Sequence, residues 1–319
     1  MVFSWLLRKI ATHWSHEGKQ TKLNILTYHR VGEHFSEKNP KSIHWALFAL
    51  QIKWLNKYFN ILPLPIALEL QAKNELPPRA VCITIDDGYR DSYDYIFKTL
   101  QRENVKAAFF ISTQGLSKGG LWDEDIYVAI FNAPEEIKQL NIDGKFFDIS
   151  NFDRRVETRY QLTEETKYLP LKQRQKIVDE IRSQTGVALQ PNNFLSAEQI
   201  REMHQAGMTI GAHTHSHPIL VKEDDNVAFD EIKQSKTILE DIITQPIDYF
   251  AYPNGKFKQD YDQRHIDMVE SLGFKAALST DWGSLADYQK ERFKIKRFTP
   301  WDKTEFKFIL RLAMNYRKS

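Results

Sequence analysis

Two clusters of polar residues in this 319-residue chain carry side chains that can bind a metal ion or move a proton. Asp86 and Asp87 follow an apolar run, and the next residue, Gly88, permits a turn that brings both carboxylates toward one cavity. Two like charges held close together are unfavourable unless a cation or a shared proton offsets them. The alternative interpretation is that Asp87 caps the helix that begins after Gly88.

Three histidines within five residues form the second cluster: His213, His215 and His217. An extended chain would hold His213 and His217 about 13 Å apart, too far for one ion at bond lengths of about 2.0 to 2.1 Å. The chain must therefore turn, and a turn brings these two imidazoles to one side while His215 points elsewhere. Together with one of the aspartates they would leave an open position for water on zinc. A histidine cluster without function is the alternative.

Short β-rich runs alternate with helical patterns along the chain. The predicted strands are 23–28, 81–85, 106–111, 208–213, 247–252, 274–279 and 293–298. The predicted helices are 44–58, 89–103, 196–205, 227–243, 260–272 and 304–316. Strands joined by helix-length crossovers indicate a parallel sheet, either open or closed into a barrel, with its chemistry at the carboxyl ends of the strands.

We divide the chain into an N-terminal amphipathic helix, 1–20, and a main domain, 21–319, that carries a largely helical insertion at about 121–194. The N-terminal segment lacks the apolar core and cleavage site of a signal peptide. We favour a helix docked on the main domain, with an anchor at a membrane surface as the alternative. No apolar stretch is long enough for a transmembrane helix.

The composition is that of an ordinary globular protein, with 42% hydrophobic residues and a net charge of +2. The single cysteine, Cys82, cannot form a disulfide within the chain. Lysine and arginine are dispersed rather than striped, so the sequence gives no support for nucleic-acid binding. An aromatic content of 13% suggests a surface or groove that stacks on flat or sugar-like ligands.

The run 84–88 (Thr-Ile-Asp-Asp-Gly) resembles the first motif of the polysaccharide deacetylases, the NodB-homology or carbohydrate esterase family 4 group, and the run 213–217 resembles their second. The resemblance implies an α/β fold, a distorted (β/α)7 barrel, and metal-dependent hydrolysis of N-acetyl groups on amino sugars. It also implies that Asp86 is the general base, that Asp87, His213 and His217 bind the metal, and that a metal-bound water is the nucleophile.

The run 250–255 (Phe-Ala-Tyr-Pro-Asn-Gly) resembles the third motif of the family, in which the matching backbone N–H is that of Asn254. That N–H would stabilise the oxyanion of the tetrahedral intermediate, and Tyr252 and Pro253 are expected beside the substrate. The sequence departs from the family pattern because Ala251 replaces the usual arginine. Arg297, at the end of the last predicted strand, is our candidate to orient the general base.

The fourth motif is present only loosely, at 279–283, where Trp282 is expected to wall the acetyl pocket and Asp281 to tune a neighbouring histidine. The fifth motif, which supplies the general acid, is missing from the C-terminal end. Some members of the family are circularly permuted, and His29 at the end of the first strand resembles the displaced acid. A structural His29 is the alternative. Trp122, at the edge of the insertion, is a candidate for sugar stacking.

We therefore expect a metal-dependent N-deacetylase that acts on an N-acetylhexosamine-containing polysaccharide or glycan precursor. The alternatives are a C–N hydrolase acting on a non-polymeric amide or a lipid-linked sugar, and a catalytically silent carbohydrate-binding barrel. Zinc is the first expectation for the metal, with cobalt and nickel open. We expect the protein in the cytoplasm or at the inner face of a membrane, reached through the N-terminal helix. The sequence leaves the oligomeric state open.

Overall fold

The computed structural model describes residues 2–18, 20–33, 42–118, 120–188 and 193–318. The domain bounds 1–20, 21–319 and 121–194 therefore include residues that lie outside the described ones. Seven main strands form one parallel sheet: β1 to β7 are Asn24–Tyr28, Ala80–Ile85, Ala108–Ile111, Thr209–Ala212, Tyr249–Ala251, Ala276–Trp282 and Ile295–Arg297. Each overlaps one of the seven predicted runs, so the α/β prediction is confirmed.

The strands follow the order β7-β6-β5-β4-β3-β2-β1, and a short strand, Asn60–Ile61, also pairs with β2. The two ends of this sheet approach each other. The N–H of Thr27 in β1 donates to the carbonyl of Phe298 just after β7, at 3.0 Å, and the N–H of Phe298 donates to Ile25 at 2.8 Å. The sheet is therefore a nearly closed barrel, which places the ends of β1 and β7 side by side.

Alternate residues of each strand pack in opposite directions, as the two-residue period of a strand requires. Leu26, Ile83 and Phe109 belong to the large apolar cluster that the helices complete. Ile25 and Cys82 belong to a second cluster, with neighbouring strands and Leu64–Ala72. Cys82 in β2 faces the inside of the barrel. The same alternation directs the polar side chains two and four residues later, Thr84 and Asp86, into the upper part of the barrel.

Thirteen α-helices are found in the described residues. They are α1 Val2–Trp14, α2 Trp45–Tyr58, α3 Leu64–Ala72, α4 Lys98–Arg102, α5 Gln114–Lys118, α6 Trp122–Phe131, α7 Phe152–Lys167, α8 Leu171–Thr185, α9 Ala197–Gln205, α10 Asp225–Ile243, α11 Gln263–Ser271, α12 Tyr288–Glu291 and α13 Glu305–Asn315. A π-helical turn, Ser92–Phe97, precedes α4. The predicted capping box at Ser196 and Gln199 begins α9. The Gln199 N–H donates to the Ser196 hydroxyl, and the Ser196 N–H donates to the side-chain carbonyl of Gln199.

The insertion is largely helical, as predicted, with α6, α7 and α8 around a separate apolar core. It also holds an antiparallel hairpin, Gln139–Ile142 with Lys145–Asp148, which the sequence analysis did not predict. Asp143 and Gly144 form the turn with φ angles of 48° and 79°. Two positive φ angles are those of a type I′ turn, for which Asp-Gly is a favoured dipeptide.

Helix α1 is docked on the rest of the molecule through Leu7 and Ala11, which are buried against α2 and α13. Its opposite side leaves Trp5 and Leu6 60% and 47% exposed. The helix is thus packed on the barrel domain and still presents large apolar side chains to solvent. Among the described residues, none of the helices combines the length and apolarity needed to cross a membrane.

Candidate active site

A cavity of about 500 Å³ opens at the carboxyl ends of the barrel strands. The residues that follow β1, β2, β4 and β5 contribute its base, since parallel strands end at the same side of a barrel. Seven of the predicted site residues line it: His29, Asp86, Asp87, Trp122, His213, His217 and Asn254. The two polar clusters predicted from the sequence therefore meet in one place.

The turn after β2 has a backbone conformation that the sequence suggested. Asp87 and Gly88 have φ angles of 78° and 86°, in the region that L side chains rarely adopt. A Cβ atom at Gly88 would also lie 2.8 Å from Cγ2 of Ile111. The turn directs Asp87 toward the histidines, whereas the Asp86 side chain continues the alternation of β2 and faces the inside of the barrel.

Asp87, His213 and His217 form a compact set of side chains that could hold a metal ion. The Asp87 Oδ1 lies 3.5 Å from Nε2 of each histidine, and the three ligand atoms all lie within 4.8 Å of one another. Ligand atoms about 3.3 Å apart are expected around a tetrahedral zinc ion with bonds of about 2.0 to 2.1 Å. The three side chains therefore fit a divalent ion with little rearrangement.

The hydrogen bonds of the histidines suit metal binding. The His213 Nδ1 lies 2.7 Å from the Ala251 carbonyl oxygen, and since a carbonyl only accepts, Nδ1 carries the proton and Nε2 offers its lone pair to a metal. Burial lowers the pKa of His217 to about 3, against the attraction of Asp87. Burial would raise the pKa of Asp87, but the surrounding histidines hold it well below its usual value. Neutral imidazole and ionised carboxylate are the forms that bind metals.

Two buried charged residues that the sequence analysis missed hold the histidine turn in place. Arg174 in α8 donates to the carbonyl oxygens of Ser216 and His217 at 2.8 and 3.0 Å. Glu231 in α10 accepts from the N–H and the hydroxyl of Ser216. Neither residue lies near the turn in sequence, so no local pattern could have identified them.

Asp86 is 1% exposed and forms a two-point ion pair with Arg297, which is fully buried. The guanidinium donates to Oδ1 at 2.8 Å and to Oδ2 at 2.7 Å. It also donates to the Ser279 carbonyl and the Thr84 hydroxyl, which fix its plane. Burial would raise the pKa of Asp86, but Arg297 and the nearby histidines lower it below its usual value. Arg297 therefore occupies the position from which it can orient Asp86.

His29 lies at the edge of the same group, at the end of β1. Its Nε2 is 4.0 Å from Oδ2 of Asp86, and its side chain is 38% exposed to the cavity and solvent. A half-exposed imidazole can exchange protons with solvent and with a bound molecule. The near-closure of the barrel accounts for this proximity.

The loop after β5 contributes one of its three predicted residues to the cavity lining. Asn254 lines the cavity with a φ angle of 57°, and its N–H has no hydrogen-bond acceptor among the described residues. Tyr252, by contrast, is fully buried, stacks on Tyr261 at 3.7 Å and donates from its hydroxyl to the Phe293 carbonyl. Tyr252 and the buried Pro253 are therefore packing residues of this loop rather than part of the cavity lining.

The aromatic wall differs from the expected one. Trp301 lines the cavity, whereas Trp282 stacks behind it with ring centroids 4.8 Å apart. A register shift in β6 between Leu278 and Trp282 changes the direction of the last side chains. The Asp281 carboxylate accepts from the Phe257 N–H, so it is bonded to a loop backbone rather than placed as a partner of a site histidine.

Trp122 lines the cavity but is only 7% exposed, with the Arg174 guanidinium 5.0 Å from its ring centroid. One ring face is therefore covered by a cation, which disfavours the expected sugar stacking on that face. The indole Nε1 is buried without a hydrogen-bond partner in the described part of the chain.

Comparison with known proteins agrees with this architecture. The polysaccharide deacetylase profile matches residues 73–277. The Bacillus subtilis (strain 168) protein YxkH, whose name assigns it to the polysaccharide deacetylases, is 22% identical over 273 residues, which cover 85% of this chain and 69% of that protein.

Two solved structures show the same fold. The Streptococcus pyogenes deacetylase PplD, in complex with acetate, is 20% identical with a TM-score of 0.61, over 92% of this chain and 99% of that one. IcaB from Ammonifex degensii is 17% identical with a TM-score of 0.61, over 92% and 98% of the two chains. With the profile match over more than half of its length, the chain belongs to the polysaccharide deacetylase family.

Proposed function

We propose that this chain is a metal-dependent hydrolase that removes N-acetyl groups from N-acetylhexosamine units of a polysaccharide or glycan precursor. Family membership supports deacetylation in general. The metal dependence is supported by one observation above all: three metal-binding side chains and the Arg297-paired Asp86 line the same cavity.

In this proposal Asp87, His213 and His217 hold a divalent ion, which when bound would polarise the amide carbonyl and make a water molecule more acidic. Asp86 accepts the proton of the attacking water, and its carboxylate is kept ionised and fixed in orientation by Arg297. The N–H of Asn254, which has no acceptor in the described part of the chain, donates to the developing oxyanion. His29 gives a proton to the leaving amine.

The first test is metal content per chain, measured by elemental analysis on the wild type and on His217→Ala. We expect near-stoichiometric zinc in the wild type and its loss in the variant, because His217 is one of the three proposed ligands among the described residues. Arg154→Gln, a change at an exposed residue of α7, is the control. A wild type that takes up no cobalt, nickel or zinc would contradict metal dependence.

The second test is the product released from N-acetylated glycans by the metal-loaded protein. Acetate release from N-acetylglucosamine oligomers supports the proposal. Release only from a lipid-linked sugar or a small amide supports the related C–N hydrolase. Metal uptake with no acetate or formate release from any of these would favour the carbohydrate-binding barrel, which the missing arginine at Ala251 and the displaced acid suggest.

We also propose that the protein contacts the inner face of a membrane from the cytoplasmic side. The docked helix α1 supports this proposal, because it exposes Trp5 and Leu6 beside the basic residues Arg8 and Lys9. Sedimentation with vesicles that contain anionic phospholipid should fall clearly in the double variant Trp5→Ser, Leu6→Ser. Equal sedimentation of the wild type and this variant would contradict the contact.

A further inference from the structure

The insertion supplies one wall of the active-site cavity. Trp122 from α6 and Arg159 and Thr163 from α7 all line it. These residues belong to the segment 121–194, which lies between β3 and β4 and provides none of the proposed catalytic groups. The wall is therefore free to recognise a part of the substrate away from the acetyl group.

This wall has buried hydrogen-bonding atoms without partners. The Trp122 Nε1, the Arg159 Nε and the Thr163 Oγ1 are all buried and form no hydrogen bond with the described residues. The first two are donors only, and the hydroxyl can donate. Buried polar groups in native proteins are nearly always satisfied, so three unsatisfied donors at one wall indicate a site for an acceptor.

Arg159 also carries a charge that no acidic residue of the described chain neutralises in an ion pair. Glu124, whose carboxylate is influenced by the Arg159 charge, is already bonded by Arg30 at 3.1 Å and by Asn193 at 2.9 Å. Another carboxylate that lines the cavity, that of Glu164, forms no ion pair with Arg159. A guanidinium is suited to two-point binding of an anionic oxygen group.

We propose that Arg159, Trp122 and Thr163 form a subsite for an anionic substituent of the glycan, a carboxylate or a phosphoryl group, beside the sugar that is deacetylated. The oxygens of such a group are acceptors, as the three unsatisfied donors require. The Glu164 carboxylate would accept from a sugar hydroxyl at the same wall. This inference rests on the proposed function only in naming the substrate a glycan.

The test is equilibrium binding by isothermal titration calorimetry to chelator-treated protein, so that binding to a metal does not contribute. Three probes are compared at low salt: neutral N,N′-diacetylchitobiose, N-acetylglucosamine 1-phosphate, and a disaccharide of glucuronate and N-acetylglucosamine. We expect at least one anionic probe to bind about tenfold to hundredfold more tightly than the neutral one. The better anionic probe identifies the carboxylate or the phosphoryl group as the natural substituent.

Variants on α7 separate this subsite from general charge. Arg159→Gln should abolish the preference for the anionic probe, and Arg159→Lys should restore it in part, since it keeps the charge but not the two-point geometry. Thr163→Val should weaken the preference for the anionic probe, although it removes no charge. Arg154→Gln is the matched control, because this exposed arginine of α7 pairs with Glu157 outside the cavity.

The outcomes are distinct from those that test the hydrolysis. Equal affinity for all three probes, absence of binding by any of them, or a preference that survives in Arg159→Gln would each overturn the subsite. Acetate release from neutral oligomers without an anionic preference would leave the deacetylase proposal intact and reject the subsite. Tighter binding of an anionic probe without acetate release would support the subsite and contradict the deacetylase proposal.

Discussion

The Asp86 and Arg297 side chains meet although 211 residues separate them in the sequence. A buried carboxylate is costly unless it is paired and hydrogen-bonded. Arg297 meets this cost with two short hydrogen bonds, and Ser279 and Thr84 hold the guanidinium in turn. Arg297, at the end of another strand, therefore gives Asp86 a cationic partner that the alanine at position 251 cannot provide.

At this scale the role of Asp86 can be separated from metal binding. Asp86→Asn should lower turnover by about 10²- to 10⁴-fold, because the amide cannot accept a proton from water. Metal content should stay at the wild-type level, since Asp86 is outside the three-residue ligand set. Steady-state acetate release and elemental analysis on the same preparation measure both. Loss of metal would instead make Asp86 a ligand.

The contribution of the buried pair to folding is a second prediction for single residues. Arg297→Met should lower the free energy of unfolding by about 3 to 5 kcal/mol, because it leaves the Asp86 carboxylate buried and unpaired. Denaturant titration measures this loss. The double variant Asp86→Asn, Arg297→Met should lose less than the sum of the two single variants. Strict additivity would show that the two side chains are not coupled.

At the scale of elements, a polar link joins the insertion to the rim of the barrel. Arg30, after β1, donates to Asp91 at 2.9 Å and to Glu124 of α6 at 3.1 Å, and its guanidinium lies 4.2 Å from the Tyr89 ring centroid. Burial raises the pKa of Asp91 to about 6, against the opposing effect of Arg30. The orientation of the insertion is thereby coupled to a carboxyl group that is costly to ionise.

This link predicts a pH dependence of stability. An unfolded aspartate has a pKa of about 3.9, so between about pH 4 and pH 6 the folded protein binds a proton that the unfolded chain has lost. Stability contributed by Asp91 is therefore lost as the pH rises through this window, by about 2 to 3 kcal/mol. Asp91→Asn should reduce the difference in Tm between about pH 4 and pH 6. Asp94→Asn, a change at a more exposed residue of the same segment, should leave that difference unchanged. A parallel shift in both variants would contradict the assignment.

The elements that the sequence predicted are those whose signal is local. The seven predicted strands are short runs rich in Val, Ile, Leu, Phe or Tyr, and the two motifs lie at the ends of β2 and β4. The hairpin of the insertion also had a local signal, the Asp143–Gly144 dipeptide between alternating residues, which was overlooked. The directions of the Trp282 and Tyr252 side chains had no local signal in the sequence. They follow from a register shift in β6 and from stacking on Tyr261, which only the assembled barrel determines.

At the scale of the whole molecule, the proposed metal connects two halves of the barrel. Asp87 follows β2 and both histidines follow β4, so an ion bound by them should stabilise the entire fold. At a free concentration of 100 times its Kd, a ligand adds about 2.7 kcal/mol. Zinc should therefore raise the Tm of chelator-treated wild type by a few degrees, measured by calorimetry. The His217→Ala variant should lose most of this shift; an equal shift would place the ion elsewhere.

The contact between the start of β1 and α13 has a consequence for folding during synthesis on the ribosome. Asn24, at the start of β1, is bonded to Leu312 and Asn315 of α13, across 288 and 291 residues. All three proposed metal ligands have been made by residue 217, but Arg297 and α13 are made later. A nascent chain thus holds the ligands of the ion while Asp86 has no cationic partner from β7. Because such distant pairings form slowly, we expect hydrolytic competence to arise only after β7 and α13 have been translated.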